Sequence, residues 1–406
     1  MTQTNNKMVM TTVIVAALGY LVDIYDLILF SIVRVKSLKE IGVADEYLSA
    51  VGLDIMGKQM LGMLLGGLLW GILGDKLGRL SVLFGSILIY SIANAANGFV
   101  TDVETYKWLR FVAGIGLAGE LGAGITLVSE VMSKEKRGIG TTIVASVGIA
   151  GAILAYVISE MFDWRNAFIL GGVLGLFLLL MRISVFESGM FKNLKETKIQ
   201  RGNFFQLFSD KRLFIKYLKC ILTGLPTWFV IGILAFSAPE YGKAFGMSEA
   251  PKSAGQAIMW CYVGLIVGDL VSGFLSQYLK SRRIALLTFL GLSAVMVSFY
   301  LSSGDMTLTM MNFKCFLLGC GMGYWAMFVT VASEQFGTNL RSTVTTTVPN
   351  FVRGLLDPMQ LMFRALIPSI GIVGAGWLFG AITISIAALA VYLSEETFGK
   401  DLDYTD

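Results

Sequence analysis

The chain has 406 residues, 55% of them hydrophobic and 15% charged, with a net charge of +4 and a mean hydropathy of +0.71. Length alone allows two or three soluble domains, but this composition is bilayer chemistry and excludes an ordinary soluble enzyme. The small positive charge gives no reason to invoke nucleic-acid binding, and four cysteines inside apolar stretches, with no histidine anywhere, offer no metal-ligand set and no cofactor motif.

Crossing about 30 Å of hydrocarbon takes roughly 20 apolar residues per helix. Runs of that length fall at 9–31, 52–73, 80–100, 107–130, 139–160 and 166–186. A charged stretch from Glu187 to Lys216 follows, then runs at 214–238, 255–279, 284–302, 308–333, 345–368 and 372–394. The first run carries Asp23 and Asp26 and is too long for the apolar core of a signal peptide, so it reads as the first membrane helix. The expectation is an all-α integral membrane protein with twelve transmembrane helices in two pseudo-symmetric six-helix bundles. Residues 1–188 form the first bundle, 189–213 a cytoplasmic linker, and 214–406 the second bundle with a short cytoplasmic tail.

Basic residues set the expected orientation, because cytoplasmic loops carry the excess of Lys and Arg. One side holds Lys76, Arg79, Lys134, Lys136, Arg137, Arg182, the linker cluster, Lys280, Arg282, Arg283 and Arg341. The other holds fewer: Arg34, Lys36, Lys39, Lys107, Arg165, Lys243 and Lys252. Both termini are therefore expected in the cytoplasm. Minimal soluble parts and the lack of any N-x-S/T sequon point to a bacterial inner membrane.

The halves also echo each other. SEVMSKEKRG (129–138) has a partner in SEQFGTNLRS (333–342), each with Glu followed seven residues later by Arg, and GILGDKLGR (71–79) has a diverged counterpart in GFLSQYLKSRR (273–283). Together with RFVAGIGLAGELGAG (110–124), FDWRNAF (162–168), FES (186–188) and EQFGTNLRST (334–343), these segments resemble the major facilitator superfamily over almost the whole chain. Within it the chain is similar to the metabolite:proton symporter and the sugar and organic-ion transporter branches. GYLVDIYDLILFS (19–31) resembles the D-x-x-D start of some carboxylate symporters. The resemblance implies the major facilitator fold, alternating access and a substrate site between the halves, and it maps the family's fourth-span acid onto Glu120.

Gly71, Gly74 and Gly78 permit a tight turn, Asp75 can cap a helix of the opposite half, and Arg79 supplies a charge partner. With Glu130, Arg137 and Glu187 they form an expected cytoplasmic gate; Gln277 and Ser281 weaken its second copy, leaving it to Glu334 and Arg341. Turn and positive-inside chemistry alone is the plainer reading.

Ionisable groups within the bilayer cost roughly 2.5–3.5 kcal/mol each on insertion scales, so each is a functional candidate. Asp23 and Asp26, three apart on nearly one face and past the midpoint of the first run, are the first candidates for proton coupling, with Glu120 and Asp269 beside them. The alternative is a permanent ion pair with Lys58 or Arg110. In the eleventh run Asn350, Arg353, Asp357, Gln360 and Arg364 recur at helical spacing and predict a polar stripe lining the central cavity. Arg353 offers a planar fork for a carboxylate; an internal pair with Asp357 is the competing reading. Lys58 and Gln59 add an anion contact; Pro226, with Thr227 and Trp228, puts a bend in the seventh run, and Tyr324 with Trp325 in the tenth offers an aromatic pair that can close over substrate, although aromatic packing alone explains Trp228 and Trp325 as well.

The function these features point to is proton-coupled symport of a small organic anion by a monomer in the lipid bilayer. A neutral sugar or polyol, an organic cation held by the acids, export, or a non-transporting membrane sensor remain open, and a divalent metal is disfavoured by the missing histidine.

Overall fold

The structure, a computed structural model, describes residues 3–77, 79–132, 137–187, 204–251, 254–337 and 339–400. Within those helices the side chains of 3–8, Ser49, Asp75, Arg79, Leu80, Ser129, Glu130, Arg137 and 183–187 are not described. Every element among the described residues is helical. In the order of the chain they are α1 (Gln3–Glu40), α2 (Leu48–Leu77), α3 (Arg79–Asn97), α4 (Val103–Leu117), α5 (Glu120–Val131), α6 (Arg137–Ile149), α7 (Gly151–Met161) and α8 (Trp164–Glu187). After the connection come α9 (Gln206–Ser209), α10 (Lys211–Phe229), a π-helical turn (Val230–Ala235), α11 (Ala238–Ala244), α12 (Gly255–Tyr278), α13 (Arg282–Leu301), α14 (Leu308–Gly321), α15 (Trp325–Gln335), α16 (Arg341–Gly354) and α17 (Leu356–Tyr392).

A chain in lipid must satisfy its backbone polar groups internally, which leaves helices as the outcome for these apolar runs. Among the described residues twelve crossings result. Ten segments are long and apolar enough to cross a membrane; the last of them, 341–392, turns back at Gly371 (φ 71°) and makes two crossings, and the shorter α3 makes the twelfth. Side-chain caps start several helices where they leave the water: Asp102 accepts from Thr105 N at 2.8 Å ahead of α4, Asp210 from Arg212 N at 2.7 Å ahead of α10, and Ser281 from Ile284 N at 3.1 Å ahead of α13. One end of the bundle, here the terminal face, carries the end of α2, the start of α10, the turn at Lys280 between α12 and α13, and Glu396. The opposite end is the far face.

Four crossings are broken at mid-depth, and the breaks repeat. The fourth crossing is interrupted at Ala118 and Gly119 and the tenth at Met322 to Tyr324; the fifth is interrupted at Ala150 and the eleventh at Leu355, 205 positions later. Close helix contacts repeat as well. A Cβ at Gly62 would run into the Phe111 carbonyl where α2 crosses α4, and one at Gly264 into the Phe316 carbonyl where α12 crosses α14. The two halves are thus built on one plan. Pro226 does not end its helix; α10 continues to Phe229 and passes into the π-helical turn.

Candidate functional site

α1 runs unbroken for 38 residues, so Asp23 and Asp26 lie near its middle and not toward its outer end. Both are fully buried. Their surroundings separate them. Arg110 of α4 donates from Nη2 to Asp26 Oδ1 at 2.9 Å and to Asn94 Oδ1 at 3.1 Å, and from Nη1 to the Asp26 carbonyl at 3.3 Å. The Arg110 guanidinium also lies 5.0 Å from the Phe168 ring centroid. Asp26 is therefore half of a buried ion pair, the alternative that the sequence had left open.

Glu120 is likewise paired, with a residue that positive-inside counting assigns to a loop. Arg182 lies within α8, fully buried, and grips Glu120 bidentately, Nη1 to Oε1 at 3.1 Å and Nη2 to Oε2 at 2.9 Å. Ser86 Oγ donates to Oε1 at 3.0 Å, and the two Arg182 amines reach the carbonyls of Leu83 (3.3 Å) and Val15 (3.2 Å). This cluster ties α1, α3, α5 and α8 together.

Asp23 has no such partner. Neither carboxyl oxygen makes a hydrogen bond although the residue is completely buried, and the charged groups within electrostatic reach are Arg353, Glu120 and Asp26. Arg353 is its counterpart in the second half. Buried at the end of α16, it donates from Nη1 to Asn350 Oδ1 at 3.3 Å, leaves Nε without an acceptor, and lies 5.7 Å from the ring centroids of both Trp228 and Trp325. Trp325 Nε1 in turn donates to the Tyr20 hydroxyl at 3.2 Å, and Asn350 Nδ2 to the carbonyl of Ala118 at 2.9 Å and that of Thr346 at 2.7 Å. The break at Ala118 exposes that carbonyl to a partner outside its own helix. A carboxyl group, a guanidinium fork and two indoles from both halves thus enclose one spot at mid-depth.

The other candidates sit elsewhere. Asp269 Oδ1 accepts from Ala326 N at 3.0 Å at the start of α15, where a carboxylate meets free N–H groups and the positive end of the helix dipole. Gln59 is buried and donates to the Leu27 carbonyl at 3.4 Å; Lys58, beside it, is half-buried. The expected stripe on the eleventh crossing does not survive the break at Leu355. Asn350 and Arg353 face the centre, whereas Asp357 is exposed against Gly57 of α2, Gln360 donates to the Gly232 carbonyl at 2.8 Å, and Arg364 is exposed on the far side. The break also separates Arg353 from Asp357, so no ion pair forms between them.

Residues 9–355 match the profile of the Major Facilitator Superfamily. The chain belongs to that superfamily. It is a multi-pass membrane transporter. It is 25% identical over 384 residues to the niacin transporter NiaP of Acinetobacter baylyi, covering 84% of this chain and 85% of that one. It is 27% identical over 353 residues to the 3-(3-hydroxy-phenyl)propionate transporter of Escherichia coli, covering 84% and 83%. A solved structure of the proton:xylose symporter XylE superposes with a TM-score of 0.75 at 15% identity, over 98% of each chain, and establishes the shared fold.

The transporter's halves meet tightly on the terminal side of this centre. Thr126 and Thr345 hydroxyls lie 2.6 Å apart and those of Thr141 and Thr330 2.9 Å, while Thr343 donates to the Gly71 carbonyl at 3.3 Å. Gly74 abuts Ser342 and Gly122 abuts Thr346, leaving no room for a side chain at either glycine. Of the expected gate, Gly78 and the side chains of Asp75, Arg79, Glu130, Arg137 and Glu187 lie outside the described residues. Glu334 forms an ion pair with Arg282, at 3.3 Å, and accepts from Thr397 Oγ1 at 2.8 Å; Arg341 is buried and donates from Nε to the Ser333 carbonyl at 3.3 Å. Arg282 and the threonines of TVTTTVPN (343–350) were missed as contributors; the threonine run in an otherwise apolar stretch was the available signal.

Proposed function

We propose that the transporter is a proton-coupled symporter of a small planar organic anion, with Arg353 holding the substrate carboxylate and Asp23 carrying the proton. The observation that carries this reading is the pair of incompletely satisfied groups at the centre, Asp23 with both oxygens unpartnered and Arg353 with Nε unpartnered between Trp228 and Trp325. A buried charge needs a counter-charge. When Asp23 is ionised it can serve Arg353 across the centre; when Asp23 takes a proton, Arg353 needs another anion, which the substrate supplies. Proton and anion then enter together and the charge of the closed site is preserved. The two indoles suit a flat ring, and relatives named for niacin and for 3-(3-hydroxy-phenyl)propionate handle aromatic carboxylates, which supports the same class.

Asp26 and Glu120, already bound to Arg110 and Arg182, act in this scheme as framework, and Asp269 anchors the broken tenth crossing. The seam of glycine and threonine is the gate that opens when the halves rock about the centre. The basic terminal face, with Lys211, Arg212, Lys219, Lys280 and Arg283, faces the cytoplasm of a bacterial inner-membrane protein that works as a monomer, since centre and seam are complete within one chain.

Uptake into proteoliposomes tests the proposal. With a panel of aromatic monocarboxylates, wild-type uptake should rise with an inward proton gradient and acidify the lumen. Asp23→Asn should keep binding and lose the gradient response, and Arg353→Gln should lose carboxylate binding by roughly a hundredfold or more, the cost of a charged hydrogen-bonded contact. Undiminished carboxylate uptake by Arg353→Gln would sink the anion assignment, and a gradient response retained by Asp23→Asn would sink the proton assignment.

A further inference from the structure

Beyond the centre, a cleft of about 100 Å³ opens toward the far face between the halves, bounded by Leu53 of α2 and by Phe236, Ser237, Glu240, Phe363 and Arg364 of the second half. That volume is the share of roughly three waters, enough for one carboxylate group. Arg34 borders it. Its basic character had suggested an outer loop, yet it lies within α1 with 6% of its surface exposed, its stem laid over Gly52 and its guanidinium 4.4 Å from the centroid of Phe236 on the cleft wall. Nη1 of Arg34 is buried without an acceptor. Two other charges act on Arg34, those of Glu240 and Arg364, and among the described residues Glu240 forms an ion pair with neither arginine.

Two guanidinium groups from opposite halves therefore have one carboxylate near them that pairs with neither, so these three groups carry an excess positive charge next to an unsatisfied, desolvated donor. Such a donor is costly to leave unpaired, and a guanidinium fork is shaped for a carboxylate. We propose that this cleft is a second anion site, in which Arg34 and Arg364 take the carboxylate of an organic anion at the far-face mouth before it passes to Arg353. The proposal rests on the anion reading of the central site and adds a capture step to it. Because the two arginines belong to different halves, an anion held between them also draws the far side together.

The experiment uses the full chain in detergent with its four cysteines replaced and Ser237→Cys introduced on the cleft wall. The thiol is reacted with a sulfonate-bearing and a trimethylammonium-bearing methanethiosulfonate, each rate being divided by that for a free thiol. The sulfonate should be favoured by about tenfold, the low end of electrostatic focusing in clefts, and benzoate should slow its reaction. Arg364→Gln, an exposed change that leaves the core intact, should remove the preference, as should Arg34→Gln, while Arg34→Lys keeps part of it. An equal sulfonate preference in both glutamine variants, or no slowing by benzoate in the wild type, would overturn the mouth site. Failure of the central reading is seen separately, as undiminished carboxylate uptake by Arg353→Gln.

Discussion

Replacing Arg182 with methionine tests whether Glu120 is framework or a working acid. In the intact protein Glu120 receives two hydrogen bonds from Arg182, at 3.1 and 2.9 Å, and one from Ser86 at 3.0 Å, with side-chain exposure of 1% or less for both members of the ion pair. Arg182→Met strands a carboxylate with a hydroxyl as its sole partner, and breaking a buried pair on one side costs about 3–5 kcal/mol. Replacing both residues, Arg182→Met with Glu120→Met, removes the stranded charge. Buried pairs replaced by apolar groups of similar volume are often neutral or stabilising by about 1–4 kcal/mol, so the double variant should regain most of the loss. Recovery stops short of complete because the carbonyls of Leu83 and Val15 also lose the Arg182 donor. Unfolding free energies in mixed micelles measure the cycle, and proton-driven uptake by the double variant measures the role. A single-variant loss below about 1 kcal/mol, or a double variant no better than the single, would refute the framework assignment; so would loss of the gradient response in a double variant that folds.

Two further outcomes follow from the seam and the terminal face. Gly122→Val places a branched side chain where Thr346 already lies, and overpacking of this kind costs about 1–3 kcal/mol. Its expression should be an opened seam, read as a thiol at Thr330→Cys that reacts in Gly122→Val and is protected in the parent; protection in both would show that the seam yields elsewhere. At the terminal face Glu396 accepts from the N–H of Arg282 at 2.8 Å, from the N–H of Phe398 at 2.9 Å and from the Ser281 hydroxyl, clipping the chain's end onto α13. Partial desolvation pushes its carboxyl up, but the Ser281 hydroxyl and the N–H groups of Phe398, Arg282 and Arg283 outweigh this and hold it below its ordinary value of 4.5. A depressed carboxyl stabilises the fold above that value and loses the contribution as pH falls below it. Protection of the amides at the start of α13, taken relative to the intrinsic exchange rate at each pH, should therefore fall in acid, and Glu396→Gln should flatten that pH dependence; an unaltered profile in the variant would assign the clip to other contacts.

Several features of this transporter could be read from residue order because they depend on local physics. Run length against bilayer thickness located the twelve crossings to within a few residues at most ends, and the offset between SEVMSKEKRG and SEQFGTNLRS anticipated the repeat that the mid-depth breaks now display. The acids themselves were conspicuous, since any Asp or Glu in an apolar run is costly. Partner choice was not conspicuous. Asp23 and Asp26 are three residues apart in one helix, yet one is held by Arg110, itself anchored on Asn94, and the other faces the centre unpaired; that difference arises from α3 and α4, whose positions no periodicity encodes.

Basic residues misled for a related reason. Arg34 lies past the end of the first apolar run, Arg182 near the end of the sixth and Arg282 just before the ninth, where counting assigns them to loops, but each falls within a helix, α1, α8 or α13, and is buried. Helical spacing likewise put Asn350, Arg353, Asp357 and Gln360 on one stripe, and the interruption at Leu355 turned the last two away. What the sequence determined by itself is a twelve-crossing membrane protein of repeated halves, because hydrophobic transfer and backbone hydrogen bonding act along the chain. Which acids are neutralised, and which guanidinium groups are left wanting an anion, was decided only by the tertiary packing, because burial and ion pairing depend on helices distant in sequence.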